Sequence, residues 1–166
     1  MMRSAELKNT HLHRGARSID YSAFYFCNQL LYVELGAELE TIGESAFDQC
    51  TSLRQVVMPS VIRIGFRAFQ GTDLTELDLP EGLEAVEGYA FAGCKSLTRV
   101  SMPSKEGLIQ DGVFVNCPRL ARIDLIGEIL EDAMKVDINQ INRVLKEVNK
   151  IEFNWGNCYI AQRHSF

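Results

Sequence analysis

The chain has 166 residues, a net charge of −5, and 46% hydrophobic against 23% charged residues. This composition is typical of a folded globular protein and excludes a disordered chain. No segment approaches the roughly 20 consecutive apolar residues of a membrane-spanning helix, so we expect no membrane span. The acidic balance argues against a nucleic-acid partner, because phosphate binding relies on a basic surface. Five cysteines are too few for a disulfide-rich mini-fold.

The N-terminal segment shows no clear targeting signal. Residues 1–18 contain four basic residues and one acidic residue but no continuous apolar stretch, so the pattern of a secretory signal peptide is missing. We therefore expect a cytoplasmic protein, or a cell-surface protein if an upstream signal precedes this chain. The basic residues leave a mitochondrial presequence open as an alternative.

The most informative feature is an internal repeat. A phenylalanine follows alanine or valine five times, at spacings of 23, 22, 22 and 23 residues. These phenylalanines are Phe24, Phe47, Phe69, Phe91 and Phe114. Three residues after all but the third comes a cysteine, and the four cysteines are Cys27, Cys50, Cys94 and Cys117. In the third copy Thr72, or its neighbour Gly71, replaces the thiol.

A second pattern follows each phenylalanine, with apolar residues in the order apolar-x-x-apolar-x-apolar. The first copy is Leu30, Val33 and Leu35, and the last two members alternate with polar residues, which indicates a half-buried strand. Proline ends such strands because it has no N–H for the ladder. Pro59, Pro80 and Pro103 each directly follow a triplet. The register extends back to residues 7–12, so six strands are predicted.

A unit of about 22 residues buries too few side chains to offset its own conformational entropy. Stacking solves this problem, because each unit then pairs its strand with the next and shares one apolar interior. Coils of fixed length with one strand each therefore predict a solenoid with a parallel sheet on one side.

The repeat unit resembles the BspA-like, or Treponema-type, leucine-rich repeat. The unit reads Ile-x-x-x-Ala-Phe-x-x-Cys-x-x-Leu-x-x-Val-x-Met-Pro, and two copies are IGESAFDQCTSLRQVVMP and VEGYAFAGCKSLTRVSMP. The match covers residues 7 to about 125. This resemblance implies a leucine-rich-repeat solenoid of the α/β class, with mostly short parallel strands in about five to six coils. It also implies a non-catalytic role as a protein-interaction scaffold or, in bacteria, as a surface adhesin.

The cysteines align on neighbouring coils, but a row of thiols without flanking histidines is a poor metal site. Disulfides between coils are geometrically possible. A ladder of reduced, buried thiols that act as small hydrophobes and weak donors is the favoured interpretation.

Catalytic groups are not evident elsewhere. His11 and His13 share one face of a predicted strand and are interpreted as surface residues. Cys158 and His164 have no third orienting group, so they do not form a recognisable dyad. No glycine-rich phosphate loop or nucleophile elbow occurs. We therefore predict a protein without catalytic residues, metal site or cofactor.

The outward side chains of the strands are the remaining candidate site. Solenoids use such a concave strip to hold partners, and this strip mixes acidic residues with arginines and so suits a protein partner. A solvated sheet face without function is the alternative. The residues predicted to bind protein are Tyr32, Glu34, Gln55, Glu76, Asp78, Arg99 and Arg122.

Residues 126–166 leave the repeat, which divides the chain into a solenoid at 1–125 and a C-terminal cap. Asp137 and Gln140 form a capping-box pattern, and an apolar stripe predicts a helix over about 138–149. A helical turn over 129–134 and docking of the aromatic segment 151–166 are also expected. This cap shields the last coil or, alternatively, recruits another protein.

The N-terminal end has only part of a coil. It therefore predicts either further coils upstream in a longer protein or edge-to-edge self-association of this chain.

Overall fold

A computed structural model describes residues 9–12, 15–105, 107–129 and 152–160. Eleven strands lie in these ranges, and each paired strand runs parallel to its neighbours. They are β1 (Asn9–Leu12), β2 (Ser18–Ile19), β3 (Tyr32–Leu35), β4 (Thr41–Ile42), β5 (Gln55–Val57), β6 (Arg63–Ile64), β7 (Glu76–Asp78), β8 (Ala85–Val86), β9 (Arg99–Pro103), β10 (Arg122–Ile129) and β11 (Glu152–Ile160).

The first four coils each contribute one strand to each of two parallel columns, and the fifth adds only the bridge between Val86 and Ile109 to the second column. The first column contains β1, β3, β5, β7, β9, β10 and β11, and the second contains the two-residue strands β2, β4, β6 and β8. Val33 pairs with Thr10 and Val56, one repeat away on either side, so equivalent positions of successive coils stack on one another. The solenoid predicted from the repeat is confirmed, whereas the second column of strands was not predicted.

The phenylalanines form a continuous stack through the interior. Neighbouring rings are 5.0 to 5.8 Å apart between centroids and lie within 15° of parallel. Phe47, Phe69, Phe91 and Phe114 are buried, as predicted. Phe24, the first ring of the stack, is only half-buried and packs against this core.

A wide turn joins each second-column strand to the next coil, and it needs an unusual backbone. In one coil Ser45 and Gln49 adopt positive φ angles of 55° and 58°, the left-handed region that L-residues with a Cβ rarely occupy. The N–H groups of Ser45, Phe47 and Gln49 donate to carbonyls of the next coil at 2.7 to 2.9 Å. The turn therefore satisfies its buried backbone groups through the neighbouring coil rather than internally.

One coil is shorter than its neighbours. Leu53 and Leu74 are 21 residues apart, whereas Leu30 to Leu53 and Leu74 to Leu97 are each 23. By alignment with the adjacent copies, one residue is missing between Met58 and Val61 and one after Thr72. The first column is interrupted at this coil, because β5 pairs with β3 and β7 pairs with β9, but no ladder joins β5 to β7.

The C-terminal region continues the first column. β10 runs beyond Leu125 to Ile129 and pairs in parallel with β11, with a register shift between Asp124 and Ile126. The predicted helical turn is therefore wrong at Ile129, and no helix occurs in the ranges that the structure describes. The predicted helix over 138–149 lies outside the described residues. β11 pairs with the edge of β10 that faces away from β9. This pairing satisfies backbone N–H and C=O groups that an edge strand would leave unpaired.

Among the described residues, no helix has the length and apolar character required to span a membrane.

Candidate functional site

The predicted binding residues lie on the first column of strands. In β3, β5 and β7 the central residues Val33, Val56 and Leu77 are buried, so the residues on either side of each point away from the core. We call these outward side chains of the first column the outward face. The interruption between β5 and β7 divides it into an N-terminal part on β3 and β5 and a C-terminal part on β7, β9 and β10.

The N-terminal part contains Tyr32, Glu34 and Gln55. The hydroxyl of Tyr32 donates to the Glu34 carboxylate at 3.2 Å. Desolvation of the phenol, together with this bond and the nearby negative charge, raises the pKa of Tyr32. Gln55 is exposed on the next strand, beside the interruption. This part of the outward face is therefore polar and carries a phenol that stays neutral at physiological pH.

The C-terminal part is a network of arginines and carboxylates. Arg99 lies at its centre, with Nη1 at 3.3 Å from Glu76 and 3.0 Å from Asp78, and with Nε at 2.6 Å from Asp124. Arg122 Nε lies 2.7 Å from the second oxygen of Asp124. The structure thus brings together four predicted residues from three consecutive strands and adds Asp124 to them.

Asp124 is the inner member of this network. It occupies an outward position in the strand alternation, yet it is only 5% exposed. Burial by itself raises the pKa of Asp124, but hydrogen bonds from Arg122 and Arg99 outweigh it and hold that pKa below its ordinary value. Asp124 therefore orients both guanidinium groups, while the side chains of Glu76 and Asp78 remain 62% and 73% exposed.

A cleft of about 780 Å³ lies at the interruption, and just before the two strands the Thr75 N–H still donates to the Arg54 carbonyl at 3.4 Å. Val57, Met58 and Pro59 contribute to one wall, and the opposite wall includes Glu76 and Glu81. The position after Met58, where the short coil has one residue fewer than its neighbours, adjoins this cleft. The cleft was not predicted from the sequence, although the spacing of 21 residues between the leucines of the short coil indicates an irregularity at this position.

A second cleft, of about 570 Å³, lies among the wide turns. Thr72 and Asp73 line it together with Tyr89 and Asn116 from later coils. It adjoins the position after Thr72 where the second residue is missing. Each deletion in the short coil is therefore accompanied by a cleft.

The thiols form the ladder that the sequence predicts. Cys50 and Cys117 are buried and donate to the carbonyls of Phe24 and Phe91 in the preceding coils, at 3.0 and 3.2 Å. Burial raises the pKa of Cys50 to about 12. Cys27 is only half-buried, so the prediction of burial is wrong for this thiol.

The third copy keeps the ladder without a cysteine. The Thr72 hydroxyl lies 3.2 Å from the sulfur of Cys94, and both side chains are buried. Thr72, rather than Gly71, therefore takes the thiol's place.

The ranges described by the structure contain no group of three or more histidine, cysteine or acidic side chains that could hold a metal ion. His13 and His164 lie outside those ranges. The interpretations of the histidines and of Cys158 therefore stay predictions.

The similarity to known proteins lies in the repeat region. Residues 17–134 match the model of the BspA-type leucine-rich repeat region, in six copies. No curated protein matches the chain.

Solved bacterial structures are similar over most of the chain. One is a leucine-rich cell surface protein from Faecalibacterium prausnitzii, with 26% identity, a TM-score of 0.71, and coverage of 81% of this chain and 36% of that one. A leucine-rich repeat protein of T. pallidum has 22% identity and a TM-score of 0.71, over 93% of this chain and 73% of that one. The pneumococcal vaccine antigen PcpA has 14% identity and a TM-score of 0.65, over 97% and 43%. The chain thus spans about a third of the length of the Faecalibacterium protein.

Proposed function

The chain belongs to the BspA-type leucine-rich repeat family, and we propose that it is a non-catalytic scaffold that binds a protein partner through the concave, outward face of its parallel strands. The residues that we assign to this surface are Tyr32, Glu34, Gln55, Glu76, Asp78, Arg99 and Arg122.

The single observation that carries the proposal is the network centred on Arg99. Arg99 and Arg122 pair with the inner carboxylate of Asp124, and Arg99 also pairs with Glu76 and Asp78, so ion pairs join four side chains from β7, β9 and β10 through Asp124 and Arg99. Ordering of these long side chains before binding lowers the entropy lost on association. Tyrosine and arginine are also enriched among the residues that dominate binding energies.

A non-catalytic role is supported by the nature of the family match, which is to a repeat region rather than to an enzyme. The buried thiols support it as well. A thiol whose pKa is raised to about 12, as that of Cys50 is, is almost entirely protonated at neutral pH and is a poor nucleophile.

The proposal can be tested with charge reversal on the outward face. Proteins that the intact chain captures from cells should be quantified against the double variant Glu76→Lys/Asp78→Lys. Both side chains are largely exposed, so we expect capture of at least one protein to fall tenfold or more. Because the two lysines would lie beside Arg99, denaturant unfolding of the double variant should first establish that it remains folded.

The matched control is Glu38→Lys/Glu84→Lys, which makes the same change in charge at two exposed residues outside the first column. Capture by this variant should equal that by the unmodified chain. If both double variants captured as much protein as the unmodified chain, or if both lost capture to the same extent, the binding surface would lie elsewhere.

A second candidate is a cell-surface adhesin of the same fold, or a fragment of a longer repeat protein. The similarity to a protein described as a cell surface protein favours it, as does the small share of that protein which this chain covers. Digestion of intact cells with an external protease separates the candidates, because only a surface protein would be cleaved.

A further inference from the structure

The cleft between β5 and β7 interrupts the outward face at its centre. A continuous parallel ladder would place these strands about 4.8 Å apart and leave no room between them. The cleft's volume of about 780 Å³ lies in the range of about 300–1,000 Å³ that is typical of ligand sites. Its walls follow residues 54–59 and 75–82, so it is elongated along the strands.

Apolar groups line part of this cleft. Val57 is the half-buried outward residue of β5, and Met58 beside it is 3% exposed. Pro59 and Pro80 belong to the turns that follow β5 and β7 and line the cleft as well. Every other outward residue named for β3, β5 and β7 is polar, so Val57 marks the one place there where an apolar side chain of a ligand would find an apolar contact.

The charged residues around the cleft are mostly acidic. Glu76, Asp78 and Glu81 line it, together with the single cation Arg54. Arg54 forms an ion pair with Asp73 at 3.2 Å, so its charge is already compensated. Glu76 and Asp78 share the single charge of Arg99, so together with Glu81 the cleft keeps a net negative charge and complements a cation.

The neighbouring cation Lys105 leaves the negative charge of the cleft largely unchanged. Lys105 donates to the backbone carbonyls of Glu81 and Leu83 at 2.8 and 3.0 Å. It fixes the turn at 81–83 on the side of the next coil. Arg99 is held by Asp124 as well as by Glu76 and Asp78. The carboxylate of Glu81 faces solvent in an exposed turn.

We propose that this cleft binds an extended, basic peptide segment of the partner, with an apolar side chain placed against Val57 and cationic side chains paired with Glu76, Asp78 and Glu81. The inference rests on the proposed function and narrows it to a subsite and a chemical class. An extended peptide suits the cleft because residues two apart project to the same side, so one apolar and two basic side chains can enter together.

Short synthetic peptides test the charge and the apolar requirement separately. The probe is the blocked pentapeptide Lys-Ser-Leu-Ser-Lys, and its matched controls are Glu-Ser-Leu-Ser-Glu and Lys-Ser-Ser-Ser-Lys. Each is titrated into the full chain labelled at its methyl groups. We expect the first peptide to shift the Val57 methyl resonances, and each control to bind at least fivefold more weakly.

Variants of the protein provide the second arm. Glu76→Gln/Glu81→Gln should weaken binding of the basic peptide fivefold or more, because two of its ion pairs are lost. Val57→Ser should abolish the preference for the leucine peptide over the serine peptide while the preference for lysine over glutamate persists. The matched control is Glu38→Gln/Glu44→Gln, which removes two negative charges from exposed residues outside the first column, and it should change the affinity less than twofold.

Several results would overturn the subsite. They are an absence of Val57 shifts, equal binding of the basic and acidic peptides, and shifts confined to the side of Tyr32 and Glu34. The last result would still leave the outward face as a binding surface. The proposed function itself fails if charge reversal at Glu76 and Asp78 leaves capture of every partner unchanged, or if the control Glu38→Lys/Glu84→Lys loses capture to the same extent.

Discussion

The first and second wide turns carry the same motif but differ in burial. Ala46, Phe47 and Cys50 are fully buried, whereas Phe24 and Cys27, the equivalent residues one coil earlier, are only half-buried. The difference does not come from the motif, because both turns read Ala-Phe-x-x-Cys. The second turn lies between two described turns, whereas the first has one described neighbour. Burial in this molecule is therefore supplied by adjacent coils.

Exposed aromatic residues are concentrated in the first wide turn. Tyr21, Tyr25 and Phe26 all lie in the first wide turn and are 70%, 50% and 51% exposed. Tyr25 and Phe26 pack edge to face, with ring centroids 4.7 Å apart. In the interior turns Tyr89 is 44% exposed and packs edge to face on Phe66, with ring centroids 5.8 Å apart, so the first turn exposes more aromatic residues than the later ones but is not alone in exposing them.

The largest expected effect is at the phenylalanine stack, where a buried ring can be compared with a half-buried one. Phe47 stacks on Phe24 and Phe69 at 5.0 Å on each side, so Phe47→Ala should lower the free energy of unfolding by about 3–5 kcal/mol. Phe24→Ala, the matched variant at the open end, should lower it by about 1–2 kcal/mol. Denaturant unfolding of both variants measures the difference. Equal losses would mean that the two rings are equally buried in solution.

A smaller effect is expected among the acidic residues, where the buried carboxylate of Asp124 contrasts with the exposed carboxylate of Asp78. Because hydrogen bonds hold the pKa of buried Asp124 below its ordinary value, its ionised form stabilises the fold above about pH 3.9, the ordinary pKa of aspartate. That contribution is lost as the pH falls through the lower pKa of the folded state. At pH 7, Asp124→Asn should therefore lower the free energy of unfolding by about 1–3 kcal/mol.

The control for this variant is Asp78→Asn, which alters an exposed member of the same network and should change stability by no more than about 0.5 kcal/mol. Unfolding should be followed from pH 7 to pH 2. The gap between the unmodified chain and Asp124→Asn should close at the acid end. A gap that is independent of pH would contradict the assignment of a lowered pKa to Asp124.

The sequence predicts the part of the fold that repeats. The positions of Phe47, Cys50 and Val56 within the unit recur at a fixed spacing, so their burial and stacking follow from the period alone. The second column of strands escapes such an argument, because two residues such as Arg63 and Ile64 are too short to show an alternation. Strand β11 had a weak signal, since Phe153 and Trp155 alternate with polar residues in the sequence.

The candidate site was predicted as a list of positions rather than as an arrangement. Alternation places Glu76, Asp78, Arg99 and Arg122 on one side of the strands, and they do lie there. It also treats Asp124 as an exposed residue, because a period of two cannot show that guanidinium groups of Arg99 and Arg122 bond to it. The cleft beside Val57 depends on a deletion in one coil, which only a comparison of coil lengths reveals.

The rates at which individual thiols react in the folded chain test most directly the claim that neighbouring coils determine burial. With Cys158→Ser as background, the four repeat cysteines can be labelled with a maleimide at pH 8 and assigned by mass spectrometry. Cys27 is half-buried, whereas Cys50, Cys94 and Cys117 are buried and the pKa of Cys50 is raised to about 12. Cys27 should therefore react at least tenfold faster than the other three, which should become reactive only on unfolding. Equal rates for Cys27 and Cys50 would contradict the claim.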